Sequence, residues 1–117
     1  MKKISVLLVV HNEEKQISDC LERLSFSDEI VVILDKCTDN TLNIVKKFTN
    51  QFYSGSWDIE GDRRNYGIQK CKNDWILEID ADERINLKLS KEILYTIKHS
   101  QYDWHQHLFD ANHIDYV

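Results

Sequence analysis

Two aspartates stand two residues apart in Asp80-Ala81-Asp82, directly after the apolar run Trp75-Ile76-Leu77-Glu78-Ile79. In an extended segment, positions i and i+2 point to one side, so both carboxylates would converge. Two hard oxygen donors suit Mg2+ or Mn2+, with phosphate oxygens and water filling the other coordination positions. Such a triplet also arises by chance, and a solvated turn ahead of the next helix is the competing reading; its place after a strand is what gives it weight. Asp35 closes the run Glu29 to Leu34 and opens Asp35-Lys36-Cys37-Thr38-Asp39-Asn40-Thr41. A carboxylate there can accept hydrogen bonds from a base or a ribose, or it can form an Asx turn, with Asp39 favoured as the helix cap. His11, Asn12 and Glu13 follow the first apolar run. His11 can stack on a base or meet a phosphate, although spacing alone favours an ordinary loop histidine. Glu13 suits the positive end of a helix whatever its other role. Arg63 and Arg64 suit a diphosphate, with Asn65 adding a hydrogen bond, against the commoner use of such a pair as a solvated face.

These residues need a scaffold that delivers them to one place. Ile4 to Val10 is an unbroken β-branched and leucine run, the pattern of a strand covered on both faces. Ile17, Cys20, Leu21 and Leu24 recur at helical spacing. Glu29 to Leu34 is a second buried strand. Thr38 or Asp39 can cap a helix carrying Ile44, Val45 and Phe48. Gln51 to Ser54 is a weaker third strand, Gly55 to Glu60 a loop, and Asp62 to Cys71 a helix interrupted by Gly67. Trp75 to Ile79 is the fourth strand, Asp80 to Arg84 a polar turn, and Leu89, Ile93, Leu94 and Ile97 one face of a last helix. The order βαβαβαβα predicts an α/β fold with a mostly parallel sheet and right-handed crossovers. Ligands in such sheets bind beyond the carboxyl ends of the strands. His11 to Glu13, Asp35, and Asp80 to Asp82 all come directly after strands and so share that edge.

Composition bounds the function. The chain has 117 residues, 42% hydrophobic and 30% charged, as for one globular domain. A net charge of -5 argues against general binding of nucleic acid. No apolar run approaches the roughly 18 residues of a membrane span. Met1-Lys2-Lys3 and the apolar stretch behind it imitate a signal peptide only briefly, which points to a strand in a cytoplasmic protein. The three cysteines are odd in number and unpaired in spacing, as reduced thiols would be. Cys20 and Cys71 fall on apolar helix faces, where packing is their use. Cys37 lies near the pocket without a base or metal partner nearby in sequence. His105, His107 and His113, with Asp110, match no zinc spacing. Trp57 and Trp75 read as core aromatics before sugar platforms.

In order and spacing, several segments together resemble family 2 glycosyltransferases of the GT-A fold, a Rossmann-like nucleotide-sugar-binding architecture. They are Ile4 to Glu14, Asp28 to Asp35, Cys37 to Thr41, Arg64 to Ile68, and Asn73 to Glu83. The wording is most similar to bacterial enzymes that add sugars to the lipopolysaccharide core. The resemblance covers about residues 1–100 and leaves 101–117 as an off-pattern tail. It implies a nucleotide-sugar donor, a UDP-sugar first among the candidates, and Mg2+ or Mn2+ as cofactor. It places Asp35 at the nucleobase with His11 against it, and Asn12 and Glu13 beside the donor. Arg64 goes to the ribose or diphosphate, Asp80 to the ribose or sugar, and Asp82 to the metal. The acceptor would be a lipopolysaccharide or another cell-envelope glycan or glycolipid, attacked with inversion.

In the family the general base lies after the D-x-D motif, and no residue here is nominated for it. Full members are roughly twice this length, within the usual size of a catalytic domain. The expectation is therefore a single truncated domain, 1–117, with the donor half. The alternative is a non-catalytic nucleotide-binding remnant or partner subunit without an acceptor side. An incomplete sheet edge leaves apolar surface for a second copy or partner chain to cover. The expected place is the cytoplasm, peripheral at the inner membrane face through the acceptor. A receiver domain would need clustered acids after the first strand and a lysine after a fifth. A nucleotidyltransferase would need a glycine-rich basic loop after the first. Neither pattern is present.

Overall fold

The computed structural model describes residues 3–100 in full and the backbone of the strand at 107–110. Its elements follow the expected alternation. They are β1 (Ile4–Val10), α1 (Ile17–Glu22), β2 (Glu29–Asp35), α2 (Thr41–Val45), β3 (Phe52–Gly55), α3 (Glu60–Lys70), β4 (Trp75–Ile79), α4 (Leu87–Lys98) and β5 (His107–Asp110). The strands form one sheet in the order β3-β2-β1-β4-β5, and every pairing is parallel. The fifth strand extends the four read from the sequence and lies in the stretch taken there as an off-pattern tail. The histidine-rich tail otherwise lies outside the described residues.

The unbroken apolar character of β1 is explained by its place. It pairs with β2 on one side and β4 on the other, and helices cover both faces. Residues alternate between the faces, as strand geometry requires. Ile4, Val6, Leu8 and Val10 join α1, α4, Val45 and Ile85 in the larger core, whereas Leu7 joins Val31, Ile33, Ile76 and Cys71 against α3. Cys20 and Cys71 are both buried and free, one in each core. Burial pushes the Cys20 thiol up to about 11 and the Cys71 thiol up to about 12. Both are packing residues, as expected.

Several boundaries and one face differ from the sequence reading. The first helix begins only at Ile17, after a turn that starts where Glu13 O accepts from the N–H groups of Gln16 and Ile17. The third strand and third helix are Phe52–Gly55 and Glu60–Lys70, so the intervening loop is shorter. Leu94, expected on the packed face of α4, is 42% exposed, because Ser90, Ile93 and Ile97 turn the helix one step away from it.

The opposite end of the sheet is closed by a polar clamp. Ser5 Oγ donates to buried Glu29 Oε1 at 2.6 Å, and the Lys72 N–H donates to the same oxygen at 2.8 Å. Asn73 donates to Ser5 Oγ through its backbone and its side chain. The α3–β4 loop is thereby fixed to the starts of β1 and β2.

Gly67, a mark against the helix in sequence, is required by packing. A Cβ there would stand 2.6 Å from Leu7 Cδ1 and 2.9 Å from Ile33 Cγ1, two side chains that are fully buried. Gly67→Ala gains about 1 kcal/mol of helix propensity but meets overpacking of about 1–3 kcal/mol. The expected net result is a lower urea midpoint with an unchanged slope. A higher midpoint would show that α3 can move away from the sheet freely.

Candidate functional site

Three neighbouring strands end on one edge. Val10 stands beside Leu34, and Leu8 beside Ile79, so the chain leaves the sheet at His11, Lys36 and Asp80 on the same side. Two of the exits are left-handed at non-glycine residues, Asn12 with φ 48° and Lys36 with φ 55°. Asparagine tolerates this conformation, whereas for lysine it costs about 1–2 kcal/mol. Both turns are held by side chains.

Asn12 holds the β2–α2 loop rather than standing free. Its Oδ1 accepts from Thr38 N at 2.7 Å and Asp39 N at 3.2 Å, while Nδ2 donates to Thr38 Oγ1. Thr41 Oγ1 accepts from Glu13 N at 2.9 Å, and Asp39 Oδ2 accepts from Glu14 N at 3.3 Å. Asp39 Oδ1 also accepts from the N–H and hydroxyl of Thr41, the first residue of α2. The cap assigned to Asp39 is therefore real, one residue outside the formal N-cap, Asn40. Burial raises the Asp39 carboxyl, and the bonds from Thr41 and Glu14 outweigh it, leaving the group below its ordinary value. A cleft of about 390 Å³ opens here, lined by Asn12 to Gln16 and Asp39.

Asp35 is a carboxylate at 3% exposure. Its Oδ2 accepts from Arg63 Nη1 at 2.7 Å and its Oδ1 from Trp57 N–H at 3.1 Å. Burial pushes its pKa up, but the Arg63 and Trp57 hydrogen bonds more than offset that, so it lies below the usual carboxylate value. The backbone carbonyl of Asp35 is 2.9 Å from His11 Nδ1. A carbonyl only accepts, so Nδ1 carries the hydrogen and Nε2 of a neutral ring is left as an acceptor. Trp57, expected as a core aromatic, is only partly buried; it packs on the smaller core and lies against Tyr66, with ring centroids 5.4 Å apart.

The arginine pair on α3 is divided between two strands. Arg63 turns to Asp35 on β2, and Arg64 Nε donates to Glu78 Oε2 on β4 at 2.6 Å. Both arginines lie on α3 beside the sheet edge, and Arg64 remains half-exposed at 49%. The residue types offer both arginines to a diphosphate or a solvated face, and the resemblance puts the donor role on Arg64; neither foresees the Arg63–Asp35 pair, because a contact across 28 residues leaves no local trace.

Asp80 and Asp82 flank buried Ala81 in a turn, not in an extended segment. The strand-alternation argument for a shared side therefore does not apply to them. The turn is closed by Glu83 N donating to Asp80 O at 3.0 Å and by Asp80 N donating to Glu83 Oε1 at 2.8 Å. Both aspartates are exposed, and among the described residues neither carboxylate has a hydrogen-bond or ion-pair partner. Two free hard-oxygen donors fit Mg2+ or Mn2+ in kind. Among the described residues, no group of three or more His, Cys, Asp or Glu could hold a metal ion. Such an ion would need phosphate oxygens and water to complete its shell. Arg84, read only as the end of a polar turn, proves to bind the carbonyls of this turn.

Residues 5–104 match the family described as glycosyl transferase family 2. An uncharacterized glycosyltransferase of Rickettsia typhi is 33% identical over 96 residues, covering 81% of this chain and 33% of that protein. The lipopolysaccharide core biosynthesis glycosyltransferase LpsC of Rhizobium meliloti is 28% identical over 96 residues, covering 78% of this chain and 35% of LpsC. The chain thus spans about a third of the length of these two relatives. In fold it is similar to glucosyl-3-phosphoglycerate synthase from Mycobacterium tuberculosis, solved in complex with Mg2+ and uridine diphosphate. The TM-score is 0.72 at 18% identity, covering 86% of this chain and 41% of that one.

The Asp35–Arg63 pair has a measurable signature. Arg63→Met would leave a buried carboxylate without its cation, at an expected cost of about 3 kcal/mol in urea unfolding at pH 7. Asp35 has a folded pKa below its unfolded one, so its contribution is present above the ordinary carboxylate pKa and is lost as pH falls through the depressed value. In Arg63→Met burial is opposed only by the Trp57 N–H and the Lys36 charge, so the Asp35 pKa rises and that loss should move to higher pH. Identical pH profiles for the two proteins would show that the pair does not set the Asp35 titration.

Proposed function

The chain belongs to glycosyl transferase family 2, and we propose that it forms the nucleotide-sugar side of a metal-dependent, inverting glycosyltransferase. What carries this reading is the pair of exposed carboxylates at Asp80 and Asp82, which have no partner among the described residues. They stand on the sheet edge that also receives Asp35 and the His11–Glu13 loop.

The donor is a UDP-sugar, in keeping with the uridine diphosphate bound by the mycobacterial synthase of the same fold. Asp35, fixed by Arg63 and Trp57 N–H, lies at the nucleobase position, with His11 Nε2 available as an acceptor beside it. Asn12 and Glu13 shape that wall through their bonds to Thr38, Asp39 and Thr41. Arg64 can leave its half-exposed pair with Glu78 for the ribose or diphosphate, where a planar guanidinium matches two oxygens. Asp80 faces the ribose or sugar, and Asp82, with Asp80, would hold Mg2+ or Mn2+. When bound, such an ion would supply positive charge to the leaving diphosphate. In the transfer, an acceptor hydroxyl forms the new bond to the anomeric carbon as the bond to the diphosphate breaks on the opposite face. The hydroxyl proton passes to a base.

The acceptor is a cell-envelope glycan, of the kind named for LpsC. No helix among the described residues is long and apolar enough to cross a membrane. The proposed place of work is the cytoplasmic side, reached through the acceptor.

Calorimetric titration of UDP, GDP and ADP, each with and without Mn2+, tests the donor site. UDP should bind more tightly with Mn2+, and Asp82→Ala should remove at least about tenfold of that gain, as loss of a metal contact does. A folded protein that binds no nucleotide under either condition would defeat the reading.

A further inference from the structure

Arg84 makes more polar contacts than the other arginines, and neither the fold nor the donor reading uses it. Its Nε donates to Asp19 Oδ2 at 2.7 Å. Its Nη1 donates to the carbonyls of Ala81 at 2.6 Å and Glu83 at 2.9 Å, and its Nη2 to Gln16 O at 3.4 Å. Two of these partners belong to the D-x-D turn. The other two belong to the start of α1, which comes after the loop bearing Asn12 and Glu13. One guanidinium thus ties the D-x-D turn to the start of α1, the helix that the Asn12–Glu13 loop leads into. Its side chain is 28% exposed, and Asp19 is itself drawn below its ordinary pKa, first by the Arg84 hydrogen bond.

We propose that Arg84 is a positioning residue that holds the Asp80–Asp82 turn in its metal-competent shape by binding its carbonyls and anchoring them to Asp19 on α1. This deepens the donor-site reading and rests on it. The physical reason is the arrangement of the turn itself. Ala81 points into the core at 4% exposure, and its carbonyl, with that of Glu83, is taken by the guanidinium. With both constraints met, the backbone of the turn has little freedom, and Asp80 and Asp82 keep their carboxylates for a ligand. Ordering before binding spares the entropy that two loose aspartates would lose on closing around an ion. A lysine could not replace it, because one ammonium cannot serve a carboxylate and several carbonyls in a planar fork.

The test compares the full chain with Arg84→Met, which keeps the stem and removes the donors, and with Asp19→Asn, which keeps the guanidinium but weakens its anchor. UDP binding is measured without metal and across an Mn2+ titration. Hydrogen exchange at the amides of Asp80 and Glu83 reports the order of the turn. In Arg84→Met, metal-free UDP affinity should stay within about twofold, while half-saturating Mn2+ rises about tenfold or more, the usual effect of removing an outer-shell partner. Exchange at Asp80 and Glu83 should quicken while β4 stays protected, and Asp19→Asn should show the same pattern more weakly. An unchanged Mn2+ response in both variants would overturn the proposal and leave the donor site standing. So would an equal fall of metal-free and metal-dependent binding, which is general damage. If the wild-type chain shows no Mn2+ effect on UDP and Asp82→Ala is inert, the donor-site reading fails, and the positioning role falls with it.

Discussion

The pairing of β1 with β2 on one side and β4 on the other is the constraint on which the rest of the structure depends. Parallel hydrogen bonding fixes Val9 against Ile33 and Leu8 against Ile79. Once that register is set, the three strands must release their chains at one edge. A slip of one residue would turn every side chain of β1 to the wrong face and exchange the two cores. The site therefore has its position determined by apolar packing, far more than by attraction among its polar groups.

At that edge, charge is held in two different states. Asp35 is buried and fully engaged, by a guanidinium from α3 and by a backbone N–H from the β3–α3 loop. Its burial is tolerable because both oxygens are satisfied. Asp80 and Asp82 are exposed on a turn whose backbone is bonded and whose carboxylates have no partner among the described residues. The edge thus carries one carboxylate that is already neutralised beside two that are open to solvent. The close approach of α3 to the sheet at Gly67 connects them, since the same helix sends Arg63 to β2 and Arg64 to β4.

The loops are tied by cross-connections as much as by their own turns. Asn12 spans to Thr38 and Asp39, Thr41 reaches back to Glu13, and Arg84 joins the D-x-D turn to α1. Such bonds join residues far apart in sequence and tie short loops at a sheet edge to one another. At the other end of the sheet, Ser5, Glu29 and Asn73 perform the corresponding closure.

The α/β alternation, the bounds of β1 and β4, the core roles of Cys20 and Cys71, and the edge where polar residues gather were legible in the sequence. Each is written locally, in apolar runs of strand length and in the polar residues directly after them. The glycosyltransferase family was legible too, because it rests on the order of several short segments. Tertiary structure alone decided that Arg63 and not Arg64 meets Asp35, that Arg84 binds the turn, and that Leu94 faces outward. It also decided that Asp80 and Asp82 sit on a turn rather than along a strand. An ion pair across 28 residues or a guanidinium bridging 65 leaves no periodicity to read. Only the packing of helices on a sheet brings such groups within reach of each other.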